Sequence, residues 1–255
     1  MAFKRLIALV PVQFGQVVMS YGYMHHKPAG SLSTVLQNLD RWGIDEIAVI
    51  DISKGIVKPD FSIFEQIRLS AVRTPIAFGG GIRSAGHAAE TLAQGCDRVI
   101  VETLMWQDPK EIERISAAIG QQAVIGAVPL VYGSNGLTVA PVNSAGSETW
   151  SDFVKHVNEL PISELMVIDR EHEGIAGTHK VSEHTPINET RHKLIWFGGL
   201  NVSQAAGLLK RQDTVGVAFS NPLLAKELVV KTHRSQINAH TGQQFLRKVR
   251  PHGGK

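Results

Sequence analysis

Two aspartates close apolar runs that read alike: Asp51 in "VIDIS" (49–53) and Asp169 in "VIDRE" (167–171), 118 residues further on. A carboxylate at the end of a buried strand can bind a hydroxyl or move a proton, and a nearby imidazole that titrates close to neutral pH can carry that proton onward. Asp51, Asp169 and His172 are therefore the candidate catalytic groups, with Glu171 and Glu173 beside them. The two aspartates are placed to face one another across a common opening. His172 suits an exposed loop equally well, and His25 and His26 either cover a ligand or are solvated. No spacing of histidines and carboxylates makes a convincing metal site, so neither a metal nor another cofactor is expected.

Glycine-rich turns supply a second kind of chemistry. Gly79, Gly80 and Gly81 follow "IAF", and Gly198 and Gly199 follow "IWF". Without a Cβ, such turns bring backbone amides close to an anion. Ser220, in "AFSNP", leads into a helix whose first amides point toward phosphate oxygens. A ligand anchored at both ends is one reading; glycine turns that merely close the fold are the other.

Residues of this kind need a scaffold, and the chain describes one. "ALVPVQFG" (8–15) returns as "GAVPLVYG" (126–133), again with an offset of 118, and "AFGGGIRS" from Ala77 returns as "WFGGLNVS" from Trp196. Short β-branched runs alternate with segments of helical period, the pattern of βα units around a parallel sheet. Eight strands are expected: 5–10, 46–51, 76–78, 98–102, 123–128, 164–169, 194–197 and 215–219. Helices are expected over 31–42, 61–72, 85–94, 109–118, 150–160 and 203–210, with Ser84 and Asp108 as N-caps and a small hairpin at Tyr132 to Asn135. Eight units in two matching halves predict an α/β fold, a (β/α)8 barrel (TIM barrel) with catalytic groups at the carboxyl ends of its strands. A doubly wound sheet is the alternative, but its reversing strand order does not duplicate naturally. Residues 1–255 read as one barrel domain, with half-barrels of about 1–120 and 121–240 and a basic tail, "RKVRPHGGK".

Composition narrows the partners. A net charge of +3 over 255 residues is too small and dispersed to propose nucleic acid, and the single cysteine, Cys96, suits a reducing compartment. The apolar run Leu6 to Val12 is broken by Pro11 and reads as a strand, not as a signal peptide. No stretch has the length of a membrane helix, so a cytoplasmic protein is expected.

Five segments, "KRLIALVPVQFGQVV", "GIDEIAVIDIS", "IAFGGGIRS", "GCDRVIVETLMWQDP" and "EGIAGT", resemble the cyclase subunit of imidazole glycerol phosphate synthase, the HisF family, over nearly the full length. That resemblance implies a barrel that receives ammonia from a separate HisH-like glutaminase. It implies a gate of four charges at the strands' amino ends, here Arg5, Glu46, Arg98 and Glu164, with Asp97 docking the partner. It implies phosphate-binding ends at Gly80, Gly81, Glu102 and Thr103, and at Gly174, Gly198, Gly199 and Ser220. Glu102 stands where the family has asparagine, and a carboxylate there favours a sugar hydroxyl over a phosphate.

The departures are as informative. The family's two catalytic aspartates fall on Pro11 and Pro129, and its lysine on Met19. Proline has neither a titratable group nor a backbone donor, so it cannot replace a carboxylate in proton transfer. The expectation is a synthase subunit of a glutamine amidotransferase that adds ammonia to a phosphorylated or nucleotide-linked sugar, as in amidine formation for surface glycans. A divergent histidine-pathway cyclase and a non-catalytic barrel that binds a glutaminase are the alternatives.

Overall fold

The computed structural model describes residues 3–134, 136–141, 148–185, 189–225 and 228–247. Among these residues twelve strands run in chain order: β1 (Arg5–Gln13), β2 (Gln16–Tyr21), β3 (His25–Ser31), β4 (Glu46–Asp51), β5 (Ile76–Gly79), β6 (Arg98–Val101), β7 (Val124–Gly133), β8 (Gly136–Val139), β9 (Glu148–Thr149), β10 (Glu164–Asp169), β11 (Lys193–Phe197) and β12 (Thr214–Phe219). Eight of them pair in parallel in the order β1, β4, β5, β6, β7, β10, β11, β12, and the pairing of β12 with β1 closes the ring. The fold is a (β/α)8 barrel.

Strand period explains its two cores. Alternate residues face the lumen, where Ile7, Leu9, Ala48, Ala77, Ile125, Ala127, Met166, Ile195 and Ala218 pack on one another. The opposite parity, such as Leu6, Val49, Val99, Val128, Leu165 and Val217, packs under the helices. Those helices are α1 (Leu32–Trp42), α2 (Phe61–Ser70), α3 (Ala85–Ala93), α4 (Leu104–Gln107), α5 (Pro109–Ile119), α6 (Trp150–Val157), α7 (Val181–His184), α8 (Val202–Leu209), α9 (Asn221–Ala225) and α10 (Val229–Thr241). Their starts are where the cap residues place them: Ser84 Oγ accepts from His87 N–H at 3.1 Å, and Asp108 Oδ1 from Glu111 N–H at 3.2 Å ahead of Pro109. Among the described residues no helix is long and apolar enough to cross a membrane.

The repeat offset reappears in the geometry. Ile52 N–H donates to Val12 O at 2.8 Å, and 118 residues later Arg170 N–H donates to Leu130 O at 3.0 Å. The two barrel strands that contain proline, β1 and β7, run through it and out of the barrel. β1 turns back into β2, with Val12 opposite Val17, and β7 into β8, with Leu130 opposite Val139. The hairpin expected at 132–135 is β7–β8, although Asn135 lies outside the described residues, as does the basic tail beyond Arg247. The β2–β3 hairpin and α10 are additions that strand and helix periodicity did not announce.

Candidate active site

The strands' carboxyl ends surround a mouth that contains a cavity of about 210 Å³. It opens over β4, β5 and β6, with Asp51, Gly80, Gly81, Glu102 and Thr103 in its wall and Leu9, Ile100, Ala127, Met166 and Ile168 as an apolar floor. Asp51 is 4% exposed, and its Oδ1 accepts Ser53 N–H at 2.9 Å. The turn above it requires glycine: a Cβ on Gly80 would lie 2.7 Å from Asp51 Cβ. The second half repeats the arrangement, with a Cβ on Gly198 only 2.3 Å from Asp169 O. These glycines let the chain fold back directly over the aspartates.

Asp169 serves a different purpose from Asp51. Its Oδ1 lies 2.7 Å from His172 Nδ1, and its Oδ2 accepts the N–H groups of Lys180 at 2.7 Å and Val181 at 3.2 Å. Asp169 therefore ties down its own loop on the β10–β11 side, and His172 sits with it there rather than across from Asp51. Sequence reading missed the third member, His179. This imidazole is 2% exposed, and its Nδ1 lies 2.6 Å from Gly198 O. A carbonyl can only accept, so Nδ1 carries the proton, and burial lowers the pKa and keeps the ring neutral. No spacing rule announces a histidine whose partner is a carbonyl 19 residues away.

On the side of β11 and β12, Gly174, Gly198, Gly199 and Ser220 line a space of about 20 Å³. Asn221 fills the site: its Nδ2 donates to Ser20 O at 2.7 Å and its Oδ1 accepts Ser20 N–H at 3.2 Å. A second clasp holds the same hairpin. Glu173, fully buried, accepts from Ser20 Oγ at 2.9 Å and Tyr23 N–H at 3.2 Å, and burial raises its pKa. Tyr23, held at a φ of 57°, thereby reaches over the mouth and packs on the lumen residues. Burial, aided by the Glu173 and Glu102 carboxylates, raises its phenol pKa well above the ordinary value, so it remains protonated.

At the strands' amino ends the four charged residues form a closed ring. Arg5 Nη1 lies 3.0 Å from Glu46 Oε2 and its Nη2 lies 2.6 Å from Glu164 Oε2; Arg98 Nη1 bridges Glu46 Oε1 at 3.2 Å and Glu164 Oε2 at 2.9 Å. Arg98 Nη2 also donates to Ser163 Oγ at 2.6 Å. Burial raises the Glu46 pKa, and the two arginines oppose that rise. Exposed Asp97, beside the ring, accepts Ile76 N–H at 2.8 Å through Oδ2. Above the ring the lumen is packed with apolar side chains such as Ile7, Ala48, Ile125 and Met166.

A model of the histidine biosynthesis protein family matches residues 5–228. The chain belongs to that family. It is 30% identical to the imidazole glycerol phosphate synthase subunit HisF of Metallosphaera sedula, over 67% of this chain and 70% of the relative. It is 26% identical to HisF of Campylobacter jejuni serotype O:6 over 72% of this chain and 75% of that one. HisF of Pseudoalteromonas translucida is 25% identical over 96% of each chain. Within this HisF-like barrel, Pro11 and Pro129 are buried and share lumen parity with Ile7 and Leu9 and with Ile125 and Ala127. The lumen positions at the ends of β1 and β7 therefore carry no proton-transfer group.

Proposed function

We propose that this HisF-like barrel is the synthase subunit of a glutamine amidotransferase, taking ammonia from a separate HisH-like glutaminase and adding it to a phosphorylated or nucleotide-linked sugar. The observation that carries the reading is the contrast between the two ends of the lumen. The amino end keeps a four-member charged ring below an apolar lumen, whereas Pro11 and Pro129 occupy the lumen positions at the carboxyl end. Ring closure of a ribonucleotide needs an acid and a base at those positions. Attack of neutral ammonia on an amide carbon whose oxygen is already activated, with that oxygen leaving and ammonia giving up its extra protons to yield an amidine, needs shelter and orientation instead.

Glu102 in the cavity wall supports a ligand end that offers donors, such as sugar hydroxyls, over one that offers phosphate oxygens. Asp51, beside it, is the carboxylate to which we assign hydroxyl binding. The clasped hairpin implies that a phosphate reaches Gly174, Gly199 and Ser220 only after Asn221 releases Ser20.

A test is to incubate the chain with its glutaminase, glutamine labelled at the amide nitrogen and a small-molecule extract. Label appearing in a sugar derivative supports the reading, and hydrolysis without transfer opposes it. A divergent cyclase is the second reading, favoured by the placement of Asp51 on the cavity wall. Turnover of the family's ribonucleotide with added ammonium salts would establish it.

A further inference from the structure

The loops around the cavity expose large apolar side chains that the nitrogen-transfer reading does not use. Phe14 is 77% exposed, Met24 76%, Val57 68% and Phe61 41%. Phe14 and Met24 are at the tips of consecutive hairpins, β1–β2 and β2–β3, and Val57 and Phe61 flank the start of α2. Hydrogen bonds hold the first of these tips against the loop before α2 and against α2 itself. Phe14 N–H donates to Ser53 Oγ at 2.9 Å, and Gly15 O accepts from Gln66 Nε2 of α2 at 2.9 Å. Gly55 and Ile56 of that loop line the cavity.

Phe14 is also strained. Its φ is 50°, followed by Gly15 at 74°, so both turn residues are left-handed, a geometry that Asn–Gly satisfies and a phenylalanine does not. A bulky ring held at a backbone cost while it buries almost nothing marks a position retained for something outside the folded chain.

The exposed charges of these hairpins and of the loop before α2 are cationic. Residues 13–31 contain Lys27, His25 and His26 and no acidic residue. The loop before α2 adds exposed Lys54 and Lys58, and its one acid, Asp60, accepts Ser62 N–H as the helix cap. Exposed Arg83, whose Nη2 donates to Ile56 O at 3.3 Å, completes the set.

We infer that this rim docks on an anionic lipid surface, with the hairpin tips in the headgroup region and Lys27, Lys54, Lys58 and Arg83 over lipid phosphates. The pattern favours lipid over a protein partner. Protein interfaces gather apolar side chains into a charge-depleted centre, whereas here single apolar tips alternate with cations, the arrangement of peripheral membrane anchors. The anchor is shallow and reversible, because it consists of a few side chains with no apolar helix. Docking of this kind turns the cavity mouth toward the headgroups, and it does not depend on the nitrogen-transfer reading.

The test is co-sedimentation of the full chain with vesicles of phosphatidylglycerol and phosphatidylcholine in equal parts, against vesicles of phosphatidylcholine alone. Binding is expected only with the anionic lipid, and it should weaken as salt shortens the screening length. Lys54→Glu and Lys58→Glu should each lower affinity at least about fivefold, the weight of one cation near such a surface. The double variant Phe14→Ser, Met24→Ser should lower it further at the same salt. Leu69→Ser, which removes an apolar group 68% exposed at the far end of α2, should leave binding unchanged. All these positions are exposed, so matching thermal melts separate docking from folding. No sedimentation in low salt, equal binding to both vesicle types, or binding indifferent to the Phe14 and Met24 changes would each overturn the inference.

Discussion

Replacing Arg98 with methionine removes the residue that closes the charged ring. One nitrogen of Arg98 contacts both Glu46 and Glu164, and the other donates to Ser163 Oγ. Without it, two carboxylates share Arg5, and the Glu46 side chain is only 4% exposed. Breaking a fully buried pair costs about 3–5 kcal/mol. The two arginine side chains are 23% and 13% exposed, so solvent screening lowers the expected loss to about 2–3 kcal/mol. For a chain of this size that is a fall of about 4–12 °C in Tm. The deficit should depend on pH. Burial already holds the Glu46 carboxyl above its ordinary range, and loss of Arg98 removes one of the charges that oppose the rise. A carboxyl whose folded pKa exceeds its unfolded value favours the folded state when protonated, and that contribution is lost as pH rises through the folded pKa. The difference between variant and parent should therefore be largest in mildly alkaline buffer and shrink on acidification. Calorimetric melts across pH measure it, with Arg98→Lys, which keeps the charge but not the fork, as the milder comparison. Equal melts in alkaline buffer, or a deficit that grows in acid, would refute the ring as a mutually stabilising unit.

Other positions give equally direct expectations. Gly198→Ala places a Cβ 2.3 Å from Asp169 O at a φ of 97°, and should cost more than about 2 kcal/mol in urea unfolding. Glu173→Ala removes the acceptor of Ser20 Oγ and Tyr23 N–H. It should lower stability by about 1–3 kcal/mol and raise amide exchange selectively over 16–31, and uniform exchange across the barrel would count against the clasp. Phe14→Asn should raise stability by about 1 kcal/mol by relieving the left-handed turn, and a melt below that of the parent would contradict the strain argument.

Much of the scaffold was legible because it obeys local rules. Each expected strand and helix lies on an observed one, since β-branched runs and cap residues act within a few positions of themselves. The offset of 118 residues became a physical symmetry, visible in the paired contacts of Ile52 with Val12 and of Arg170 with Leu130. Long-range commitments were illegible. Glu173 reaches Ser20 across 153 positions and Asn221 reaches it across 201, and no periodicity encodes such a meeting. The β2–β3 hairpin was missed because "HHKPAGS" lacks alternating apolar residues; its strand is largely solvent-facing. Asp51 and Asp169 both end a "VID" run, yet one lines the cavity and the other binds its own loop, because the chain after Asp169 folds back and presents the amides of Lys180 and Val181 to it.

Transfer of labelled amide nitrogen from glutamine tests the central claim most directly, with the chain and its glutaminase present together and the label followed into sugar derivatives. The account predicts that label is incorporated and that the transferred fraction falls in Arg98→Met. Glutamine hydrolysis unaffected by the barrel, together with no label in any small molecule, would contradict it.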